Sequence, residues 1–280
     1  MRYSTTNKPL QCIMTDSTCY QESYTMKIKG VLWHSTGGNN TALSRYVQPS
    51  KSNKKYDKLI SLIGENKYKN SWNQIKLYAG VNAFIGKLAD GTVTTIQTLP
   101  WQLRPWGCGK GPKGTCNDGW VQFEICEDNL KDTKYFNQVY KEACELTAYL
   151  CKKYNLNPHG TVTHNGVKIP VILCHADSYK LKMGTNHGDV LYWFAKHGKT
   201  MQDVRDDVAT LLNGSTLPYK VKVNVNKLNI RKGPSTKYSI AGQITDRGVY
   251  TITEVKNNYG KLLSGAGWVY LKGYTTKYKG

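Results

Sequence analysis

The sequence predicts an α/β domain, a β-sheet with helices on its faces, followed by a small all-β module. Three observations carry that reading. Apolar strand-like runs alternate with stretches of helical periodicity up to Leu212. After Pro218 the texture changes to short strands and turns. Charge changes at the same place: residues 215–280 hold 12 Lys/Arg against 2 Asp/Glu, and residues 1–214 hold 27 against 17. Half of the net charge of +20 therefore sits on less than a quarter of the chain. Asn213-Gly214-Ser215 reads as the linker, which sets the expected domains at 1–214 and 215–280.

Residues 1–24 are polar and irregular and are expected to wrap the main domain. Lys29-Gly-Val-Leu-Trp-His34 reads as a strand that ends in a polar loop. Residues 44–64 read as one or two helices broken by Pro49. Residues 81–85 and 92–96 read as strands joined by the turn Ala89-Asp90-Gly91. A Gly/Pro loop, 104–119, leads into the strand Trp120-Val-Gln-Phe-Glu-Ile125. The clearest helix starts at Asp132 or Thr133, with Phe136, Val139, Tyr140, Ala143, Leu146 and Leu150 on one face. Residues 169–173 form an apolar strand that runs into Cys174 and His175. The last helix begins at Thr200, with Asp203 as its capping partner. Beyond Pro218, short strands are expected at 221–225, 228–231, 250–255 and 267–271.

Composition narrows the function. Apolar residues make up 39% of the chain, enough for a buried core. Tyrosine outnumbers phenylalanine 20 to 4, and a Tyr ring can pack, stack on a sugar and hydrogen-bond. No apolar run approaches the roughly 20 residues needed to span a bilayer, so no membrane insertion is expected. Residues 1–11 lack the continuous apolar stretch of a signal peptide, which predicts a protein made and held in the cytosol. The eight cysteines include no CxxC pair, which excludes a Cys-rich zinc ribbon. Free, buried thiols are the expectation, with Cys12 and Cys19, or Cys108 and Cys116, as possible neighbours. The net charge calls for an anionic partner. With no Lys/Arg block and no RNP, zinc-finger or homeodomain signature, nucleic acid is disfavoured against an anionic cell wall.

Of the six histidines, His34 and His175 each close an apolar strand, where open α/β sheets place their sites. His187 follows in a Gly/Asn-rich loop able to turn back toward them. Three neutral imidazoles with a fourth position open make a hydrolytic zinc site. His159, His164 and His197 lie in polar loops and read as solvated. Glu124 is the candidate proton shuttle: alternation places it with Gln122, opposite Val121, Phe123 and Ile125, and a mid-sheet carboxylate is costly unless paired or functional.

At these residues the sequence resembles the N-acetylmuramoyl-L-alanine amidases of the amidase-2 type, relatives of peptidoglycan recognition proteins. Val31-Leu-Trp-His34-Ser-Thr, Phe123-Glu124-Ile, Leu173-Cys-His175-Ala-Asp and Thr185-Asn-His187-Gly-Asp189 follow in the family's order, over residues 25–213. The resemblance implies a central mixed sheet flanked by helices, one zinc ion, and cleavage between the muramic acid lactyl group and L-alanine of bacterial peptidoglycan. It maps two histidine ligands onto His34 and His175 and the acidic catalytic residue onto Glu124. The family's third ligand is usually Cys or Asp, preceded by Lys two positions earlier. Here His187 and Asp189 compete for that place, with His187 ranked first and Asp189 otherwise orienting a ligand imidazole or capping the next turn, and Thr185 falls where the lysine stands. The loop 104–119, with Trp106 and Trp120 at its ends, is either a wall of the glycan groove or an ordinary surface loop.

Lys227-Leu-Asn-Ile-Arg-Lys-Gly-Pro-Ser-Thr-Lys-Tyr238 and Gly267-Trp268-Val-Tyr270 resemble bacterial SH3 modules, small β-barrels that commonly bind peptidoglycan or its attached polymers. An amidase joined to such a module is similar to phage endolysins, which wait in the host cytosol until a holin opens the membrane.

Overall fold

The structure, a computed structural model, describes residues 1–212 and 217–278, so the expected linker Asn213-Gly214-Ser215 lies outside the described residues. The chain divides into two compact units, Met1–Met201 and Gln202–Gly280.

In the first unit, β1 (Leu10–Gln11), β2 (Gly30–Ser35), β3 (Ala83–Lys87), β4 (Val93–Gln97), β5 (Trp120–Ile125) and β8 (Ile172–Cys174) form a sheet of order β1-β4-β3-β5-β2-β8. Only β3 and β4 pair antiparallel; every other pairing is parallel. The strands β6 (Thr161–His164) and β7 (Val167–Pro170) make a separate hairpin. Helices α1 (Thr18–Glu22), α2 (Tyr56–Ile63), α3 (Thr133–Lys153), α4 (His175–Lys180) and α5 (Leu191–Lys196) complete the unit. Residues 1–24 do tie onto it: β1 extends the sheet, and Arg2 and Tyr3 bond the buried Glu142 of α3.

The central strands β2 and β5 are buried along their whole length, the condition of a parallel sheet covered on both faces. One face packs under α3 and α5 through Trp33, whose ring lies 5.0 Å from Phe123, 6.3 Å from Tyr140 and 6.0 Å from Phe194. The opposite face is apolar at Leu32 and Trp120, against Cys108, Cys116 and Met183, and polar at Gln122, Glu124 and His34. Helix α3 starts where expected because the Asp132 carboxylate accepts the N–H groups of Lys134 and Tyr135.

As expected for residues 44–64, Pro49 separates two helical pieces, a 3₁₀ turn at Leu43–Arg45 and helix α2. One element differs from expectation: the single strand expected at 169–173 breaks in two. Pro170 has no N–H to give, Val171 turns its own to the Gly160 carbonyl at 2.9 Å, and the chain leaves the hairpin to enter the main sheet as β8. All eight cysteines are free and buried. Among the described residues, no helix is long and apolar enough to cross a membrane.

The second unit carries most of α6 (Met201–Leu212) and seven strands: β9 (Tyr219–Val223), β10 (Leu228–Arg231), β11 (Ile240–Ile244), β12 (Val249–Lys256), β13 (Tyr259–Leu262), β14 (Trp268–Tyr270) and β15 (Thr275–Lys277). They pair antiparallel in the order β11-β10-β14-β13-β12-β9-β15 around Val221, Val223, Leu228, Ile230, Ile252 and Val269. Helix α6 joins this unit because the Lys256 ammonium lies 3.5 Å from Asp203 and the Asn257 N–H donates to Asp206 at 2.9 Å.

Candidate active site

Parallel pairing brings the site together at the C-terminal ends of three neighbouring strands. The register sets His34 of β2 directly beside Glu124 of β5, and Trp33 beside Cys174 of β8, so that His175 opens α4 next to His34. The two imidazoles meet edge to face, with ring centroids 4.8 Å apart. Asp189, 7% exposed, closes the group from the segment before α5. Its carboxylate lies 3.0 Å from His34 Nδ1 and 3.6 Å from His175 Nδ1. Among the described residues, His34, His175 and Asp189 are a group whose ligand atoms all lie within 4.8 Å of one another.

His187 falls outside this group. It is exposed, and its ring stacks on that of His175 at 4.6 Å. The expectation had ranked His187 ahead of Asp189; the residue whose side chain turns inward to the paired histidines is Asp189, whose carboxylate also accepts the Ser35 N–H at 3.4 Å. The sequence did not separate the two because both stand in one extended, Gly-containing segment with no local signal of which would be buried.

A cleft of about 290 Å³ is lined by His34, Glu124, His175, His187, Asp189 and Tyr192, among others. Glu124 is 8% exposed, and its Oε2 is buried with no hydrogen-bond partner in the protein. Burial pushes its carboxyl up to about 7; His34 offsets part of that rise, and the Asp189 and Glu127 carboxylates add to it. At His34 the field favours a positive charge. Burial works against a charged His34, yet the bond to Asp189 and the nearby Glu124 and Asp189 carboxylates hold it above the ordinary imidazole range. Burial and the neighbouring His34 hold His175 well below that range, neutral and able to donate a lone pair. Two imidazoles and a carboxylate around one centre, with an orphaned carboxylate oxygen in the same cleft, fit a divalent cation of the zinc type.

The remaining predicted residues lie elsewhere. His159 is exposed, His164 sits on β6 with Nδ1 2.9 Å from Lys29 Nζ, and His197 stacks on Phe136 at 4.0 Å. At the ends of the loop 104–119 the two tryptophans differ: Trp120 is fully buried and donates to the Pro170 carbonyl, so it lines no groove, whereas Trp106 is half-buried next to Gly107, which lines the cleft. The same loop carries Cys108, Thr115, Cys116 and Asn117 inward as buried residues beneath the site.

A model of the N-acetylmuramoyl-L-alanine amidase family matches residues 24–185, more than half of the chain, and ends before His187 and Asp189. No curated protein sequence matches. Solved structures similar to this chain include the Staphylococcus aureus hydrolase AmiA in complex with its ligand, 19% identical, covering 75% of this chain and 87% of that one with a TM-score of 0.47. They also include PlyL (16% identical, 75% and 99% covered, TM-score 0.45) and the PlyG catalytic domain (17%, 70% and 92%, 0.42). The family match, resting on the stretch that holds His34, Glu124 and His175, makes this chain a member of the N-acetylmuramoyl-L-alanine amidases, hydrolases that act on bacterial peptidoglycan.

Proposed function

We propose that this amidase is zinc-dependent, with His34, His175 and Asp189 as ligands, Glu124 as general acid–base, and residues 215–280 as an SH3-like module that holds it on the wall. The observation that carries the reading is the convergence of His34, His175 and Asp189 beside a buried carboxylate oxygen that nothing in the protein satisfies.

When bound, zinc supplies a Lewis acid for the lactyl carbonyl and makes water acidic enough to attack near neutral pH. The chain's own groups do the rest. Glu124 takes the proton from the attacking water and returns it to the alanine nitrogen as the amide bond breaks, a role matched to a carboxyl lying near 7. His187, exposed on the cleft wall, is placed to donate a hydrogen bond to the carbonyl oxygen as negative charge develops there. Its position two residues before Asp189 supports that assignment, because relatives place their lysine there.

The second unit supports a wall-binding role by charge and surface. Residues 215–280 carry +10, and Tyr259, Tyr270 and Tyr274 form an edge-to-face ladder with centroids 5.1 and 5.6 Å apart beside Lys227 and Arg231. A lytic amidase joined to such a module supports an endolysin that acts on the wall after release from the host cytosol, rather than a nucleic-acid-binding protein.

Digestion of purified peptidoglycan in heavy-oxygen water tests the reaction. New L-alanine amino ends, heavy oxygen in the lactyl carboxylate and no new reducing sugar are expected. New reducing ends without amino ends would show a glycosidase, and binding with neither product would show a recognition protein.

A further inference from the structure

We propose that the backbone of Cys108 sets the proton positions on both metal-binding histidines, from its N–H through Asn117 and Gln122 to His34 and from its carbonyl through Thr185 to His175. This rests on the reading of His34 and His175 as ligands.

The argument follows donors and acceptors whose direction is forced. The Cys108 N–H can only donate, and it meets the Asn117 side-chain oxygen at 3.1 Å, so that atom is the acceptor Oδ1. Asn117 Oδ1 then takes the Gln122 Nε2 proton at 2.8 Å, which turns Gln122 Oε1 toward His34. Gln122 Oε1 lies 2.9 Å from His34 Nε2 and can only accept. Asp189 is also an acceptor, at Nδ1, so the two ring nitrogens compete for the proton until a cation lies between Nδ1 and Asp189; with the cation there, the proton of a neutral His34 belongs on Nε2 and the lone pair on Nδ1.

The second relay leaves the carbonyl of the same residue, in the next peptide group. The Cys108 carbonyl accepts the Thr185 N–H at 2.9 Å and the Thr185 hydroxyl at 3.3 Å. A hydroxyl has one proton, and once it is given to the carbonyl, Thr185 Oγ1 can only accept from His175 Nε2, 3.2 Å away. His175 is thereby left with its lone pair on Nδ1, again the atom that faces Asp189. Thr185, which takes no ligand position, is a positioning residue for His175. Gly107 explains how the loop comes close enough: a Cβ there would lie 2.2 Å from Gln122 Oε1 and 3.1 Å from His34 Nε2.

Two measurements test the proposal on the full chain, with zinc as the probe. Long-range proton–nitrogen correlation spectra of the zinc-loaded protein should place the ring proton of both His34 and His175 on Nε2. Competition with a chelator should show zinc bound roughly 10- to 100-fold more weakly by Thr185→Val, which keeps the shape and loses the hydroxyl, and by Gln122→Met. Thr185→Ser, which keeps the hydroxyl, should bind within about threefold of wild type, a rescue that a packing role would not give. Ring protons on Nδ1, or Thr185→Val binding zinc as tightly as Thr185→Ser, would overturn the relay while leaving the metal site intact. Failure of the wild-type chain to bind zinc at all would instead overturn the metal reading on which it rests.

Discussion

Glu124→Gln should keep the fold and the metal yet lose roughly 100- to 10,000-fold in kcat, the typical cost of a missing general base. Glutamine is nearly isosteric, so the β5 register beside His34 is kept while the proton acceptor goes. The same substitution should make the metal-free protein more stable above neutral pH. The wild-type carboxyl has a folded-state value of about 7 against 4.5 for the free group, so the folded state binds its proton more tightly. That contribution is fully present below 4.5 and is lost as pH rises through about 7, a change of about 3 kcal/mol. Thermal melting of metal-free wild type should therefore fall between those pH values, and the Glu124→Gln variant should lack that part of the fall. A variant within about threefold of wild-type kcat would reassign Glu124 to structure.

Asp189→Ala should abolish both zinc binding and hydrolysis, because it removes the carboxylate that faces both Nδ1 atoms and leaves a positive centre with two imidazoles alone. His187→Ala should retain one zinc per chain and lose on the order of 100-fold in kcat, the usual cost of one oxyanion donor. Elemental analysis of the two purified variants separates the assignments. Zinc kept by Asp189→Ala and lost from His187→Ala would make the exposed imidazole the ligand.

That pair marks the limit of what the sequence disclosed about the site. His34, Glu124 and His175 were legible because each sits at the end of an apolar strand, and strand periodicity fixes which way such a residue faces. His187 and Asp189 share an irregular segment where no periodicity applies, and burial is decided by packing of the chain around Val190 and Trp193, both fully buried. Gln122 was visible on the Glu124 face, but its partner Asn117, like the Thr185 that bonds His175, comes from a loop, and only the folded chain brings both to the backbone of Cys108. The same division holds for the fold. Helix α3 was readable from its apolar stripe and its Asp132 cap, whereas β1 pairs with β4 across more than 80 residues and carries no local sign of its partner.

The most direct test of the account is demetallation of the full chain, verified by elemental analysis, followed by the peptidoglycan amino-end assay. The account predicts that release of L-alanine amino ends ceases and returns when one equivalent of zinc is added. Undiminished release from protein shown to hold no metal would contradict it.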